Sequence, residues 1–524
     1  MTKALLLNPV FPRSFWSLEL LVKHSGAKSL MPPLGLLTIA ALLPREWRFR
    51  LVDLNVRKLT EDDWHWADLV MVTGMAVQKE GLLSLCQEAA RRGKTTVAGG
   101  PYATAVPRKV LDAGCDFLFL GEVEDTIQNL VRALGEGQAN GVFPCDVKPE
   151  LGRSPVPRYD LVHPGDYLTA GVQTSRGCPF DCEFCDVVSL FGRKIRYKDP
   201  DQVVAELENL RQLGWWGEMF ICDDNFIGNR GRAKAILESL LPWSKQSGEP
   251  FSFITQVSVN LGRDMEMIDL MTEANFSKVF VGLESPDEDV LRCIHKIHNV
   301  ESSMVDSVNT MTQNGLSVIG SFILGLDGEP ADVAARICAF VDQTALPTVM
   351  VGLIQAPPGT RLWKRLHAEG RLLDIKAHGD SLGWKPTFQT TRPLKDITHD
   401  LAAVWDHLYT TEHLLERTYQ YHLRMRPMRS ALASSNGGGR SEGNGSVSQA
   451  APPARVIRTN ISMLLQLMWW QGIKSRAGVQ FWRQLFGMWR RNPSRMKRYL
   501  SACAFCENLR RLTSELKLRL SLPD

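Results

Sequence analysis

The chain is 524 residues long, 44% hydrophobic and 23% charged, and carries a net charge of +4. That length exceeds one ordinary core and calls for two or three domains, with the composition of a soluble globular protein. So mild a positive balance carries no nucleic-acid signature, no run of roughly 18 uncharged apolar residues is present to span a bilayer, and the apolar run in MTKALLLNPVFPRSF is too short for a signal peptide.

Residues 1–150 alternate short apolar runs with amphipathic stretches, the mark of a parallel α/β sheet. KALLLNP reads as a buried strand and PPLGLLTIAALLP as a helix bounded by prolines; FRLVDLN, DLVMVTGM, TTVAGGP and FLFLGE follow as strands. Each strand closes on Asn, Asp, Gly or Pro at its carboxyl edge, where open α/β sheets bind ligands. A second alternation occupies residues 151–366. LTAGVQTS, EMFICDD, FSFITQ, KVFVGLE, SVIGSFILG and TVMVGLIQ are its strands, separated by helices such as PDQVVAELENLRQLG. Six strand–helix repeats predict a partial or complete βα barrel with its chemistry at the strand C-termini. A helical extension is expected over 367–428, then a Gly/Ser-rich linker over 429–455 with no means of building a core, then a basic, Trp-rich helical region over 456–524.

The eleven cysteines are odd in number, and Cys86, Cys115, Cys145, Cys222, Cys293 and Cys338 each stand alone. This is no disulfide framework; it reads as a reducing, cytoplasmic chain. Three of the rest, Cys178, Cys182 and Cys185, form C-x3-C-x2-C directly after the first barrel strand. Thiolates so spaced can ligate three irons of a four-iron cluster and leave the fourth open for chemistry. A zinc knuckle would want a fourth Cys or His nearby, and none is well placed.

With an aromatic before its last cysteine, this motif resembles the signature of the radical S-adenosylmethionine (SAM) superfamily. The resemblance implies that Cys178, Cys182 and Cys185 hold the cluster, that its open iron chelates SAM, and that one-electron reduction cleaves SAM to a 5′-deoxyadenosyl radical. It implies that Phe184 contacts adenine and that Asp223 or Asp224, in CDDNF, meets the SAM amino group in place of the commoner Gly-Gly-Glu. Thr255 and Gln256 fall near the expected ribose and carboxylate contacts, Glu284 at a SAM-facing strand end, and QAPPGT (355–360) at a turn common in this branch. Read alone, each acidic residue is equally a solvated strand end or helix cap.

The N-terminal strands, with MPPLGLLTIAALLP, LVDLNVR, AGGPYAT and FLGEVEDTI, resemble the cobalamin-binding domain of one large subgroup. Gly74, Met75, Gly99, Gly100, Pro101, Gly121 and Glu122 are then the cobalamin-side residues, the glycines letting backbone approach a corrin. The D-x-H-x-x-G signature is missing: 8–15 contains no His, and His24 and His65 lack the pattern. No protein histidine on cobalt is expected. FPRSFWS and CDVVSLFGRKIRYKDPDQVVAEL further resemble a subset with a helical extension that includes hopanoid C-2 methylase. In the terminal region, Trp469, Trp470, Trp482 and Trp489 mix with Arg483, Arg490, Arg491, Arg495, Lys497 and Arg498. Such helices either lie on an anionic membrane surface or pack their aromatics on the barrel with the arginines in water, and both readings stand. Cys503 and Cys506 are read as helix residues rather than a second cluster.

The fold expected is therefore α/β, a Rossmann-like cobalamin-binding domain followed by a partial (βα)6 radical SAM barrel and an α-helical extension. The function implied is a cobalamin-dependent radical SAM C-methylase acting on an unactivated carbon, with a four-iron cluster, SAM and cobalamin as cofactors. Its substrate is a small molecule, a hydrophobic hopanoid- or isoprenoid-like compound or another secondary metabolite, its reductant a protein such as flavodoxin or ferredoxin, and its place the cytoplasm or the inner membrane face. A non-methylating radical SAM cyclase or rearrangement enzyme and a non-catalytic cobalamin or iron–sulfur sensor are the rivals.

Overall fold

The computed structural model describes residues 1–373, 382–383, 385–428 and 452–520. Most of the linker expected over 429–455 lies outside the described residues.

The first sheet is all parallel, in the order β2-β1-β3-β4-β5-β6, with β1 Lys3–Asn8, β2 Arg48–Asp53, β3 Leu69–Thr73, β4 Thr95–Gly99, β5 Phe117–Leu120 and β6 Gly141–Pro144. Its central strands are apolar without alternation because helices cover both faces. Leu5, Leu7, Val70 and Val72 pack on one side, Leu6, Met71, Val97 and Phe119 on the other. The sixth strand was not among those read from the sequence: four half-exposed residues at a sheet edge carry almost no apolar signal. Strand order reverses between β1 and β3, a topological switch point of the kind where open α/β sheets bind ligands.

The second sheet runs β7 Ala170–Val172, β10 Gly217–Ile221, β11 Phe251–Val257, β12 Phe276–Glu284, β13 Ser317–Leu324 and β14 Thr348–Ile354, every pair parallel. These are the six strands predicted. A short β15, Leu382–Gly383, adds antiparallel to β14, so the barrel is partial rather than closed. Between β7 and β10 a two-stranded ribbon, β8 Ser175–Arg176 and β9 Arg196–Tyr197, brackets the cysteine loop.

The carboxyl edge of the first sheet is held against the barrel. Tyr167 donates to Asp53 at 3.2 Å, Phe15 is buried in the barrel core, and Trp16 lies 5.0 Å from Phe280. The helical extension closes the far side: Trp405 donates to Val351 O at 3.1 Å, and Leu509, Leu512 and Leu516 of helix Met496–Leu520 join the barrel core. Among the described residues, no helix is long and apolar enough to cross a membrane.

Candidate active site at the barrel mouth

The cysteine loop is held at its base, along its length and at its far end. At its base, Gly177 adopts φ 100°, and a Cβ there would lie 2.9 Å from Gly192 O, so the close crossing of β8 and β9 requires glycine. Within it, Cys178 N donates to Gly192 O at 3.3 Å and Glu183 N to Ile294 O at 3.0 Å. The Glu183 carboxylate pairs with Arg365 at 2.6 Å, and Asp181 pairs with Arg361.

The three thiols are reduced and partly exposed. They sense one another's charge, yet among the described residues no three Cys, His, Asp or Glu groups converge on a single-ion position. Three thiols supplied by one short loop suit a four-iron cluster with one iron left open, where a structural zinc would take four ligands. Burial pushes all three thiols up, Cys178 to about 11, so ligation must displace their protons.

The adjacent aspartates do different work. Asp223 is fully buried, and its carboxylate accepts from Thr174 N at 2.7 Å, Ser175 N at 3.0 Å and both hydroxyls, with Ser175 Oγ at 2.6 Å. All four donors belong to Thr174 and Ser175, on the segment leading into the cysteines. Asp224, partly exposed, accepts from Gly177 N at 3.0 Å, and burial pushes its pKa up to about 7. Gln256 is half-buried beside them at the end of β11, its carbonyl accepting from Phe226 N at 2.9 Å, and Thr255 donates its hydroxyl to Ile221 O at 3.1 Å.

Glu284 ends β12 with φ 64°, and the ladder to β13 slips between Gly282 and Glu284. A non-glycine residue held left-handed at a strand end stores strain of the kind concentrated at functional sites. Its carboxylate pairs with Lys296, whose ammonium lies 5.8 Å from the Phe184 ring centre. Gly282 makes room for this pair: a Cβ there would lie 2.3 Å from Glu284 Oε1. Asn299 Nδ2 donates to the carbonyls of Gly282 and Leu283, both at 3.1 Å, and His298 stacks on Phe180 with ring centres 3.6 Å apart. Lys296, His298 and Asn299 were absent from the residues picked out in the sequence. KIHN matches no motif, and only folding brings it back over the cysteine loop.

On the facing edge, Gly74, Gly99, Gly100 and Gly121 sit at three successive strand ends. Gly100 and Gly121 have φ 92° and 91°. A Cβ on Gly100 would lie 2.3 Å from Thr73 Oγ1, and one on Gly121 3.0 Å from Cys145 Cβ. Pro101 starts the helix Pro101–Ala105, and Met75 stands 54% exposed beyond β3. The result is a strand-end edge of backbone and one exposed thioether. Glu122 is spent differently: Arg176 at 2.8 Å and Arg196 at 2.7 Å take both carboxylate oxygens, tying the first sheet to the ribbon beside the cysteines. Cys503 and Cys506 are buried in the helical core, with Cys506 Sγ 3.2 Å from Pro347 O.

Two parallel sheets with apposed carboxyl edges and a three-thiol loop between them define a class of cofactor-dependent radical enzymes. Family models agree: residues 25–131 match the B12 binding domain, 172–341 the radical SAM superfamily and 360–520 a domain of unknown function, DUF4070. An uncharacterized methyltransferase of Synechocystis sp. is 40% identical, over 97% of this chain and 91% of its own length. The hopanoid C-2 methylase of Rhodopseudomonas palustris is 34% identical, over 92% and 88%. The methyltransferase TsrM from Kitasatospora setae, solved with tryptophan and a SAM analogue, superimposes with TM-score 0.60 at 15% identity, covering 88% of this chain and 96% of that one. OxsB with aqua-cobalamin gives 0.59 at 13% identity, covering 100% and 82%. The chain belongs to the cobalamin-dependent radical SAM methylase superfamily, and its cofactors are a four-iron cluster, SAM and cobalamin.

Proposed function

We propose that this enzyme methylates an unactivated carbon of a polycyclic or isoprenoid-like lipid in the cytoplasm, working at the inner face of the membrane with a flavodoxin or ferredoxin as reductant. The observation that carries the reading is the 34% identity to a hopanoid C-2 methylase, which runs through the barrel and on into the C-terminal helices.

When bound, the cofactors supply a carbon-centred radical and a transferable methyl group, and the protein's part is to place them. Cys178, Cys182 and Cys185 hold the cluster. Asp224, rather than Asp223, takes the SAM amino group, because four donors already occupy Asp223. Phe184 would contact adenine, and Gln256 and the strained Glu284 would complete the SAM side. Lys296 neutralises Glu284 and keeps it aimed. Gly74, Met75, Gly99, Gly100 and Pro101 form the edge for the corrin, with Gly121 at its rim and Glu122 holding that rim to the ribbon.

The test is anaerobic reconstitution with methyl-labelled SAM, reductant, cobalamin and a lipid extract. Label in a lipid product supports the reading. A transformed but unlabelled product assigns the enzyme to radical cyclase or rearrangement chemistry, and failure to make 5′-deoxyadenosine assigns it to the sensors.

A further inference from the structure

Between residues 454 and 506 the chain has ten lysines and arginines and no aspartate or glutamate. Helix Ala454–Leu467 passes through a π-helical turn, Met468–Lys474, and a bend into helix Gly478–Arg491. One face of this pair is packed: Phe481, Met488, Leu467 and Ala477 bury themselves with Leu415 and Tyr499. The outward face is apolar as well. Ile457, Ile461 and Leu465 recur at every fourth residue on the first helix, and Phe486 and Trp489 stand 56% and 63% exposed on the second. The sequence reading that put aromatics inward and arginines in water is inverted at several positions, since Trp469, Trp482 and Trp489 face solvent while Arg495 is buried.

Large apolar side chains left exposed at this density along two helices and the turn between them call for an occupant. A second copy would bring two uncompensated positive surfaces together. Residues 429–451 contain only Leu432 and Val447 as large aliphatic side chains, too few to cover it. Among the described residues, Arg483, Arg490 and Arg491 are exposed and have no acidic partner. Beside the turn opens a cavity of about 740 Å³ lined by Trp470, Lys474, Arg476, Arg510 and Arg511 against Glu412 and Glu507, an excess of two positive charges at headgroup scale. Glu507 is itself bound by Arg510 and Arg511.

We propose that the exposed apolar side chains of these two helices dock the enzyme on an anionic lipid bilayer, with Phe486, Trp489 and the aliphatic stripe in the interface and the arginines on lipid phosphate. Amphipathic helices rich in Arg and Trp lie in the headgroup plane in this way. The inference deepens the lipid reading above. It is tested without substrate or SAM, so its failure leaves methyl transfer, assayed in detergent micelles, untouched.

Full-length protein is sedimented with phosphatidylglycerol and with phosphatidylcholine vesicles. Binding to phosphatidylglycerol that weakens with salt is expected. Arg483→Gln/Arg490→Gln/Arg491→Gln should reduce partitioning on the order of a hundredfold at low salt, taking about fivefold per charge near an anionic surface. Phe486→Ser/Trp489→Ser should weaken vesicle binding and reduce the blue shift of tryptophan emission on vesicles while leaving the thermal midpoint within error of the parent. Equal binding to both lipids, no binding to either, or variants that bind like the parent would overturn the proposal. So would a dimer in plain buffer that Phe486→Ser/Trp489→Ser converts to monomer.

Discussion

Replacing Asp223 by alanine removes the shared acceptor of four donors at once on the segment that leads into the cysteines. Two are main-chain N–H groups at 2.7 and 3.0 Å in a fully buried setting, and no hydroxyl rotation can re-aim them. An unpaired buried donor costs about 1–3 kcal/mol, so Asp223→Ala should lose on the order of 2–6 kcal/mol. Asparagine is a different case. Its Oδ1 still accepts from both N–H groups, and its amide donates to the Thr174 and Ser175 hydroxyls, which rotate to accept. The loss should stay near 1 kcal/mol. The assay is urea unfolding of the anaerobically purified chain, with iron content measured alongside: alanine should lower both the midpoint and the iron, and asparagine should keep both. Asp224→Asn should do the reverse, leaving the urea midpoint and iron intact while raising the Kd for SAM. If Asp223→Asn is as damaging as alanine, or if it alone abolishes SAM binding, Asp223 does not act as a structural staple of the cysteine loop.

Lys296→Met should cost about 3–5 kcal/mol because it leaves Glu284 charged and buried, whereas adding Glu284→Gln should recover part of the loss, a double-mutant cycle on thermal midpoints being the measurement. Glu122→Ala should destabilise by a similar amount, since Arg196 is buried with Nε already unpaired, and limited proteolysis should show the first sheet released earlier than in the parent. Cys178→Ala, Cys182→Ala and Cys185→Ala should each abolish the visible cluster absorption, while Cys503→Ala and Cys506→Ala should keep iron per chain unchanged. His422 is held down at about 4 by burial, with Arg498 and Arg495 adding to it, against 6.5 when unfolded. Above 6.5 neither state is protonated. As pH falls below that value the unfolded chain takes up a proton the folded one refuses, so stability drops by about 3 kcal/mol by pH 4. His422→Gln should flatten that part of the urea-midpoint profile.

The strands of both sheets were legible in the sequence because a buried parallel strand must be apolar along its whole length, and carboxyl-edge Asn, Asp and Gly punctuate each one. The edge strand Gly141–Pro144 was not, since half-exposed residues need no such pattern. The cysteine spacing announced cluster chemistry because three ligands must share one tight loop. Which of two adjacent aspartates is spent on that loop depends on strand-end geometry, where consecutive side chains point to opposite sides, and no composition reveals it. Glu122 likewise reads as one more acid on a ligand-binding edge until two arginines, 54 and 74 residues away, arrive on it. Lys296 reaches Glu284 only because the chain turns back across the barrel mouth. The Trp- and Arg-rich segment was plainly amphipathic in sequence. Which of its faces met the protein was decided by the shape of the surface formed by helices Thr411–Arg424 and Met496–Leu520, since periodicity places side chains on a helix but not the helix on its neighbours.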